Sequence, residues 1–239
     1  MHNIEKAIQK EKEYLFYRAT GEEPFHLADA VKECGFASLA EYFETKLEYQ
    51  FDELNFDFAE VPPSEAIAEI FRMMDARETK VLFVPSNETF VFTGKSKAFD
   101  EEYCKENGIA IYPLYTNGGT IVSTSGDFSL VICMPKSICS GTFYVLNKLK
   151  GIFDKFMQDV KVDGNDILLD GRKICGSVAY TNSEIFCFAA HFSFKDNSEL
   201  IEKICGVSGS VKVPTAIKGM TTENFKTAVS TWLRINKGE

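Results

Sequence analysis

One short segment combines an amide, a carboxylate and a lysine with the signal for a tight turn. Asn165 and Asp166 stand before a short apolar run, and the pair Asp170–Gly171 separates that run from Lys173. Asp-Gly pairs tolerate positive φ at both positions, so they favour a two-residue hairpin turn of the primed type. A lysine at the mouth of such a hairpin can direct a compact positive charge into a cleft. The neighbouring oxygens of Asn165 and Asp166 are of the kind that holds Mg²⁺ or orients phosphates.

A second segment that could approach a ligand lies upstream, at Gly118 and Gly119. The predicted strand Ile109–Tyr112 leads into this pair. Glycine lets a backbone come close to a bound group because it has no Cβ. The two glycines by themselves are equally consistent with a plain turn.

The elements around these residues alternate irregularly between strands and helices. Short strands mostly follow one another in the sequence, which favours an α+β fold with mixed or antiparallel sheets flanked by helices. Lys80–Val84 and Thr89–Thr93 are predicted to form a hairpin. A long helix after residue 140 is predicted to bury one face, made of Val145, Leu149, Ile152, Phe153 and Phe156.

The spacing of apolar residues changes after residue 50. Residues 1–50 are predicted to form a small helical extension, and residues 51–239 are predicted to form one domain. Leu27, Ala30, Val31 and Cys34 follow helical spacing. Ser38 then predicts a helix start, with Glu41 placed as in a capping box. The extension either packs against the domain or docks a partner.

Composition excludes several function classes. A net charge of -9 argues against broad binding of nucleic acid or of an anionic membrane. No apolar run approaches the ~20 residues that span a bilayer, and the N-terminus lacks the apolar core of a secretory signal. Seven cysteines without a CxxC pair indicate reduced thiols in a cytoplasmic protein, and three histidines make a multi-histidine zinc site improbable.

The run from Asn165 to Ser177 resembles the lipoate–protein ligase family, which shares its fold with biotin–protein ligases and octanoyl transferases. The order Asn-Asp, three apolar residues, Asp-Gly-Arg-Lys-Ile, one residue and Gly-Ser carries the likeness. Upstream, Ala66–Met74 is similar to the family's first helix. The resemblance therefore implies a biotin/lipoate-ligase-like catalytic domain over residues 51–239.

The resemblance also implies an activity. Such ligases adenylate lipoate, or a related acid such as octanoate, with ATP and magnesium, and then transfer it to a lysine of a lipoyl or acyl carrier domain. Lys173 is the implied catalytic residue, which contacts the acyl carbonyl and phosphate oxygens. Asp166 is the implied magnesium ligand. The implied nucleotide- and acyl-binding positions are Thr116, Asn117, Gly118, Gly119, Asn165, Asp166, Gly176 and Ser177.

The glycine loop departs from the family pattern. Two arginines are replaced by Pro113 and Leu114, the first glycine by Asn117, and the histidine by Ser123 or Thr124. The later His-Gly-Thr is replaced by Ala189-Ala190-His191.

Two alternatives therefore stay open beside the ligase. One is an octanoyl or lipoyl transferase that needs no ATP, in which Cys205 carries the acyl group as a thioester near Lys173. The other is a non-catalytic family member that binds an acyl ligand or a carrier domain. His191 itself is expected to be a core or surface residue of a strand.

Overall fold

The computed structural model describes residues 2–21, 25–95, 99–116, 119–138, 141–206, 217 and 219–233. The chain divides into two compact units, residues 1–54 and 55–239. No helix in these described ranges is both long and apolar enough to cross a membrane.

The first unit contains helices α1 (Ile4–Ala19), α2 (Leu27–Glu33) and α3 (Leu39–Asp52). The Ser38 hydroxyl accepts a hydrogen bond from the Glu41 amide, which confirms the predicted start of α3. A buried carboxylate, Glu11, accepts hydrogen bonds from the hydroxyl of Tyr42 and the ammonium group of Lys46. These bonds tie α1 to α3 around a small core of Ala7, Val31, Cys34, Phe36 and Tyr42.

The second unit is built on two sheets among its described residues. The larger one has the strand order β1-β2-β6-β10-β9-β8-β7, and the smaller one has the order β4-β3-β5. The large sheet consists of β1 (Asp57–Glu60), β2 (Lys80–Pro85), β6 (Phe128–Pro135), β7 (Val160–Asp163), β8 (Asp166–Leu169), β9 (Arg172–Thr181) and β10 (Ile185–Phe192). The small sheet consists of β3 (Phe90–Thr93), β4 (Ala110–Pro113) and β5 (Thr120–Ser123).

Parallel and antiparallel pairs occur together in both sheets. β1 runs parallel to β2, and β3 runs parallel to β4, whereas the other paired strands are antiparallel. Helices flank the sheets: α4 (Pro63–Ala76), α5 (Glu101–Glu106), α6 (Thr142–Phe153), α7 (Ser198–Cys205) and α8 (Thr222–Trp232). The predicted α+β class with mixed sheets is thus confirmed.

The central strands of the large sheet are buried on both faces. On one face, Phe225 of α8 packs against Phe128, Phe153 and Phe192, with ring centroids 4.5–6.1 Å apart. On the other face, α4 and the small sheet cover an apolar cluster that includes Ile70, Phe92 and Val131. Alternate residues of β6 and β10 therefore enter two different cores.

The predicted hairpin between residues 80 and 93 is wrong. β2 joins the large sheet and β3 joins the small sheet. The connection between β2 and β3 forms hydrogen bonds with the turn before β6. The Ser86 amide donates to the carbonyl of Asp127, and the Ser86 carbonyl accepts from the Gly126 amide. Phe156 also differs from its prediction: α6 ends at Phe153, and Phe156 is 61% exposed.

The turn between β8 and β9 confirms its sequence signal. Asp170 has φ 51° and Gly171 has φ 75°, so both central residues are left-handed, as a type I′ turn requires. The turn joins two antiparallel strands directly. The position of Lys173 relative to β8 follows from it.

We expect Gly171→Ala to lower the free energy of unfolding by about 1–2 kcal/mol, because an L-residue with a side chain resists the left-handed conformation. A Cβ at this position meets nothing within 4 Å, so the cost is confined to the backbone. Gly151→Ala in α6 is the matched control and should stabilise by about 0.5–1 kcal/mol. Urea unfolding followed by circular dichroism measures both, and an unchanged midpoint in Gly171→Ala would contradict the turn assignment.

Candidate functional site

Lys173 and Asp166 form an ion pair at the β8–β9 hairpin, with Nζ 2.9 Å from Oδ1. Their side chains are 25% and 17% exposed. Partly exposed pairs of this kind contribute little to stability, typically ~0.2–1 kcal/mol. The ion pair matters more for orientation than for stability, because Asp166 fixes the position of the Lys173 ammonium group.

A register shift places both partners on one face. Asp166 pairs with Gly176, but Leu168 pairs with Lys173, and Ile174 has no partner on β8. The extra residue lets Lys173 and Gly176, three positions apart, face the same side as Asp166. Ile174 and the residue after it are both buried, as expected where alternation is interrupted.

Gly176 leaves the space that the lysine occupies. A Cβ at position 176 would lie 2.7 Å from Nζ and 2.8 Å from Cε of Lys173. The neighbouring Ser177 holds the strands together, because its amide and its hydroxyl both donate to the carbonyl of Asn165, at 2.9 and 2.8 Å. The structure thus brings together the predicted residues Asn165, Asp166, Lys173, Gly176 and Ser177.

The described part of the glycine loop lies at the end of the small sheet. The carbonyl of Thr116 accepts from the Lys95 amide at 2.8 Å, and the carbonyl of Gly119 accepts from the Gly94 amide at 3.1 Å. Asn117 and Gly118, the other two predicted loop residues, lie outside the described residues.

A hydrogen bond joins the segment before the loop to β9. The Tyr180 hydroxyl donates to the carbonyl of Leu114 at 2.8 Å. Tyr180 is four positions along β9 from Gly176, a distance of roughly 13 Å. The loop and the lysine therefore lie towards opposite ends of this part of β9.

A narrow cavity of about 30 Å³ lies between the large sheet, α4 and the small sheet. Its walls are apolar and include Ile67, Ile70 and Val178. Of the described residues that line it, Ser129, His191 and Tyr180 carry polar side-chain atoms. A cavity of this size holds about one water molecule, so an acyl chain that enters must displace side chains.

One row of paired residues crosses the large sheet from the ion pair to the cavity. Asp166 pairs with Gly176, Gly176 with His191, and His191 with Ser129. Paired residues project to the same face, so the Lys173 side chain over Gly176 lies next to His191. This row links the cationic group to the polar end of the cavity.

His191 is buried and only partly satisfied. Its Nδ1 lies 2.9 Å from the Ser129 hydroxyl. Its Nε2 lies 3.9 Å from Oδ2 of Asp127 and has no hydrogen-bond partner within the described part of the chain. Burial lowers the pKa of His191 to about 4; Asp127 opposes this shift and Lys173 adds to it. The imidazole is therefore neutral at physiological pH.

Asp127 anchors this end of the cavity. Oδ2 accepts from the Thr124 backbone amide at 2.8 Å, from the Thr124 hydroxyl at 3.1 Å and from the Asn197 side-chain amide at 3.0 Å. Oδ1 accepts from the Phe194 backbone amide at 3.0 Å. These bonds join the turn before β6 to the segment after β10. A carboxylate with this many donors is rigidly oriented beside the His191 ring.

Cys205 does not join this constellation. It packs with Cys104, Val122 and Ile204 against one face of the small sheet. The cavity residues Phe92 and Ile121 belong to the other face of that sheet, as strand alternation requires. Burial raises the pKa of Cys205, and Cys104 raises it further. A thiol in this state is a weak nucleophile.

The described residues contain no group of three or more His, Cys, Asp and Glu side chains arranged to hold a metal ion. Asp166, the implied magnesium ligand, is already in contact with the Lys173 ammonium group through Oδ1. A divalent ion at Asp166 would have to compete with that charge.

Asp127, Ser129 and Tyr180 were not identified as site residues by their sequence pattern. Each lies in or beside an apolar strand with no local motif. A polar residue facing an otherwise apolar core is the signal that was present, because buried polar groups need partners. Apart from Thr124, which is three positions before Asp127, the partners lie more than 60 positions away, so only the strand register identifies them.

We expect Gly176→Ala to move Lys173 away from Asp166, because the new methyl group would overlap the lysine side chain. In NMR spectra, the signals of the Lys173 side chain should therefore shift. Gly151→Ala, which meets nothing within 4 Å, serves as the control. A Gly176→Ala protein that keeps the ion pair would show that the close approach is unnecessary.

We expect His191 to make the fold sensitive to acid. Its pKa is 6.5 when free and about 4 when folded, so the unfolded chain binds the proton first as the pH falls. Stability is therefore lost between these two pH values, by on the order of 3 kcal/mol for this group. Urea unfolding over this pH range should show a smaller loss in His191→Asn than in the parent protein. Equal losses would mean that His191 titrates normally.

Comparisons with known proteins agree with this architecture. Residues 66–231 match the family model of the lipoyl protein ligase A/B catalytic domain. No curated protein sequence matches the chain significantly.

Solved structures share the fold. One is a lipoate-protein ligase A bound with ATP, with a TM-score of 0.62 at 14% identity over 78% of this chain and 88% of that chain. Another is a bi-partite lipoate protein ligase of Thermoplasma acidophilum, solved with its E2 lipoyl domain, with a TM-score of 0.63 at 16% identity over 78% and 87%. A third is P. falciparum LipL1 in complex with lipoate, with a TM-score of 0.63 at 13% identity over 77% and 64%. The match over residues 66–231 shows that the chain belongs to the lipoyl protein ligase A/B catalytic domain family.

Proposed function

We propose that this chain binds lipoate or a related acid in the apolar cavity and presents its carboxyl group to Lys173, for ligation to a lysine of a carrier domain. The observation that carries the proposal is the row Asp166–Gly176–His191–Ser129. It connects a held cation to an apolar cavity whose hydrogen-bonding residues, His191 and Ser129, lie one and two strands away. An acid with a long hydrocarbon chain matches both parts.

The chemistry at Lys173 is electrostatic. Activation and transfer both place negative charge on oxygens at the reacting carbon, and a preoriented ammonium group stabilises that charge. Asp166 holds the ammonium group at 2.9 Å and Gly176 leaves it room. Both residues therefore position Lys173 and need not touch the acid.

The described residues fit an acyl group better than they fit a nucleotide. ATP with magnesium would supply the activation of the carboxyl group. The two loop positions that carry arginines in the family are here Pro113 and Leu114. Pro113, in β4, pairs with Thr93 of β3, and Leu114 is buried and lines the cavity. The proposal therefore rests on the acyl-binding part of the site.

The T. acidophilum relative, described as a bi-partite ligase with an E2 lipoyl domain, supports two further elements of the proposal. A lipoyl domain is the carrier that we propose for this chain. A second polypeptide that supplies missing parts of the reaction is compatible with the replaced loop residues.

The transferase alternative has no support from the geometry. Cys205 packs on the face of the small sheet that is turned away from the cavity. A thioester on its sulfur would place the acyl group in a different core. We therefore assign no acyl-carrying role to Cys205.

We expect the protein to bind lipoate, and Lys173→Ala to weaken binding by about 10- to 100-fold, because one charged hydrogen bond of about 1.5–3 kcal/mol is lost. Isothermal titration calorimetry measures both affinities. Lys161→Ala on the exposed part of β7 is the matched control and should bind lipoate normally. Failure of the parent protein to bind either lipoate or octanoate would overturn the proposal.

A transfer assay separates the ligase from the other family activities. With lipoate, ATP, magnesium and a lipoyl domain, we expect a mass increase of one lipoyl group on the domain, absent in Lys173→Ala and retained in Cys205→Ser. A parallel assay with an octanoyl carrier as donor and without ATP tests the transferase, and transfer in this assay that is lost in Cys205→Ser would support that alternative. Tight lipoate binding without any transfer would instead identify an acyl-binding family member.

A further inference from the structure

We infer that Ser129 is a second recognition point in the cavity, which accepts a hydrogen bond from a hydroxyl or thiol group far along the acyl chain. This inference rests on the proposed function, because it requires that the cavity holds an acyl chain. It concerns the substrate class, and it follows from the direction of the hydrogen bonds around His191.

The surroundings of the His191 ring determine which nitrogen carries the imidazole proton. Nε2 of His191 faces Oδ2 of Asp127 at 3.9 Å. Asp127 already accepts from Thr124, Phe194 and Asn197, so its oxygens present negative charge to the ring. A proton on Nε2 is attracted by that charge, whereas a lone pair there is repelled. The neutral ring therefore carries its proton on Nε2, and Nδ1 is an acceptor.

The Ser129 hydroxyl donates its proton to the His191 ring. Nδ1 of His191 accepts from this hydroxyl at 2.9 Å. Once its single proton is used, a serine oxygen can only accept further hydrogen bonds. Ser129 lines the cavity, so its remaining lone pairs are available to a ligand that carries a donor.

The other two polar side chains among the described lining residues, Tyr180 and His191, are already engaged. Tyr180 donates its hydroxyl proton to the carbonyl of Leu114, and burial raises the pKa of Tyr180, so that the proton is retained. His191 uses Nδ1 for Ser129, and its Nε2 is turned towards Asp127. Among the described lining residues, Ser129 therefore presents a hydrogen-bond acceptor to the cavity, and the hydrogen atoms of Tyr180 and His191 point to other groups.

The distance to Lys173 indicates where on the chain the donor belongs. Gly176, beneath Lys173, and Ser129 are separated by two strand spacings, roughly 10 Å. This is about the reach of an extended octanoyl chain. An acid held by Lys173 therefore brings its far end to Ser129, where a terminal hydroxyl or the thiols of a reduced lipoyl chain would meet the serine oxygen.

The experiment compares four acids by calorimetry under anaerobic conditions: octanoate, ω-hydroxyoctanoate, lipoate and dihydrolipoate. We expect ω-hydroxyoctanoate to bind about three- to tenfold tighter than octanoate, the gain from one neutral hydrogen bond. Tighter binding of dihydrolipoate than of lipoate identifies the thiol as a second source of the same donor. In Ser129→Ala the ratio of the hydroxylated to the plain acid should fall to near one.

Ser86→Ala is the matched control, because Ser86 is also a buried serine but bonds to Ser123 and is absent from the described lining. It should keep the preference. If octanoate binds and the hydroxyl group adds nothing, the inference is wrong while the proposed function stands. If no acid binds, the proposed function itself fails.

A measurement without any variant tests the hydrogen-bond direction. Nitrogen NMR of histidine-labelled protein distinguishes the two neutral tautomers of His191. We expect the form protonated on Nε2. The form protonated on Nδ1 would reverse the Ser129 hydroxyl, make it a donor towards the cavity and overturn the inference.

Discussion

The site depends on one extra residue in β9. Because Ile174 has no partner on β8, Lys173 and Gly176 face the same side as Asp166. Without this shift, strict alternation would turn Lys173 to the opposite face of the sheet, away from its partner and from His191. The ion pair with Asp166, the close approach of Lys173 to Gly176 and the row that reaches Ser129 all depend on that register. A bulge beside a functional residue is a common device for aiming a side chain.

The row joins two environments that would otherwise be incompatible. Lys173 and Asp166 remain partly exposed, so their charges stay hydrated. His191 and Ser129 are buried, where a charge would be costly, and burial accordingly lowers the pKa of His191 and keeps the ring neutral. A ligand that spans the row passes from a charged head region to a neutral hydrogen-bonding end. An acid whose long chain ends in a hydroxyl or thiol group has its polar groups in the same order.

Local patterns in the sequence predicted local structure well. The Asp170–Gly171 turn and the helix start at Ser38 are confirmed because each depends on neighbouring residues. The cluster around Lys173 could be predicted for the same reason, because its members lie within one hairpin. The hairpin expected after β2 was wrong because the backbone around Ser86 bonds to the turn before β6. The pairing of Ser129 with His191 depends on the register of distant strands, which no local pattern encodes.

Leu114, which stands where the family pattern has an arginine, is accommodated by contacts of its side chain and its backbone. Leu114 contributes its side chain to the cavity wall and its carbonyl to the Tyr180 hydroxyl. An arginine at this position would bring a charge into an apolar lining, at a substantial desolvation cost unless a phosphate or carboxylate accompanied it. Here this position contributes to the apolar wall. Since Lys173, Asp166 and Gly176 lie on a different hairpin, the arrangement around Lys173 keeps its geometry independently of that exchange.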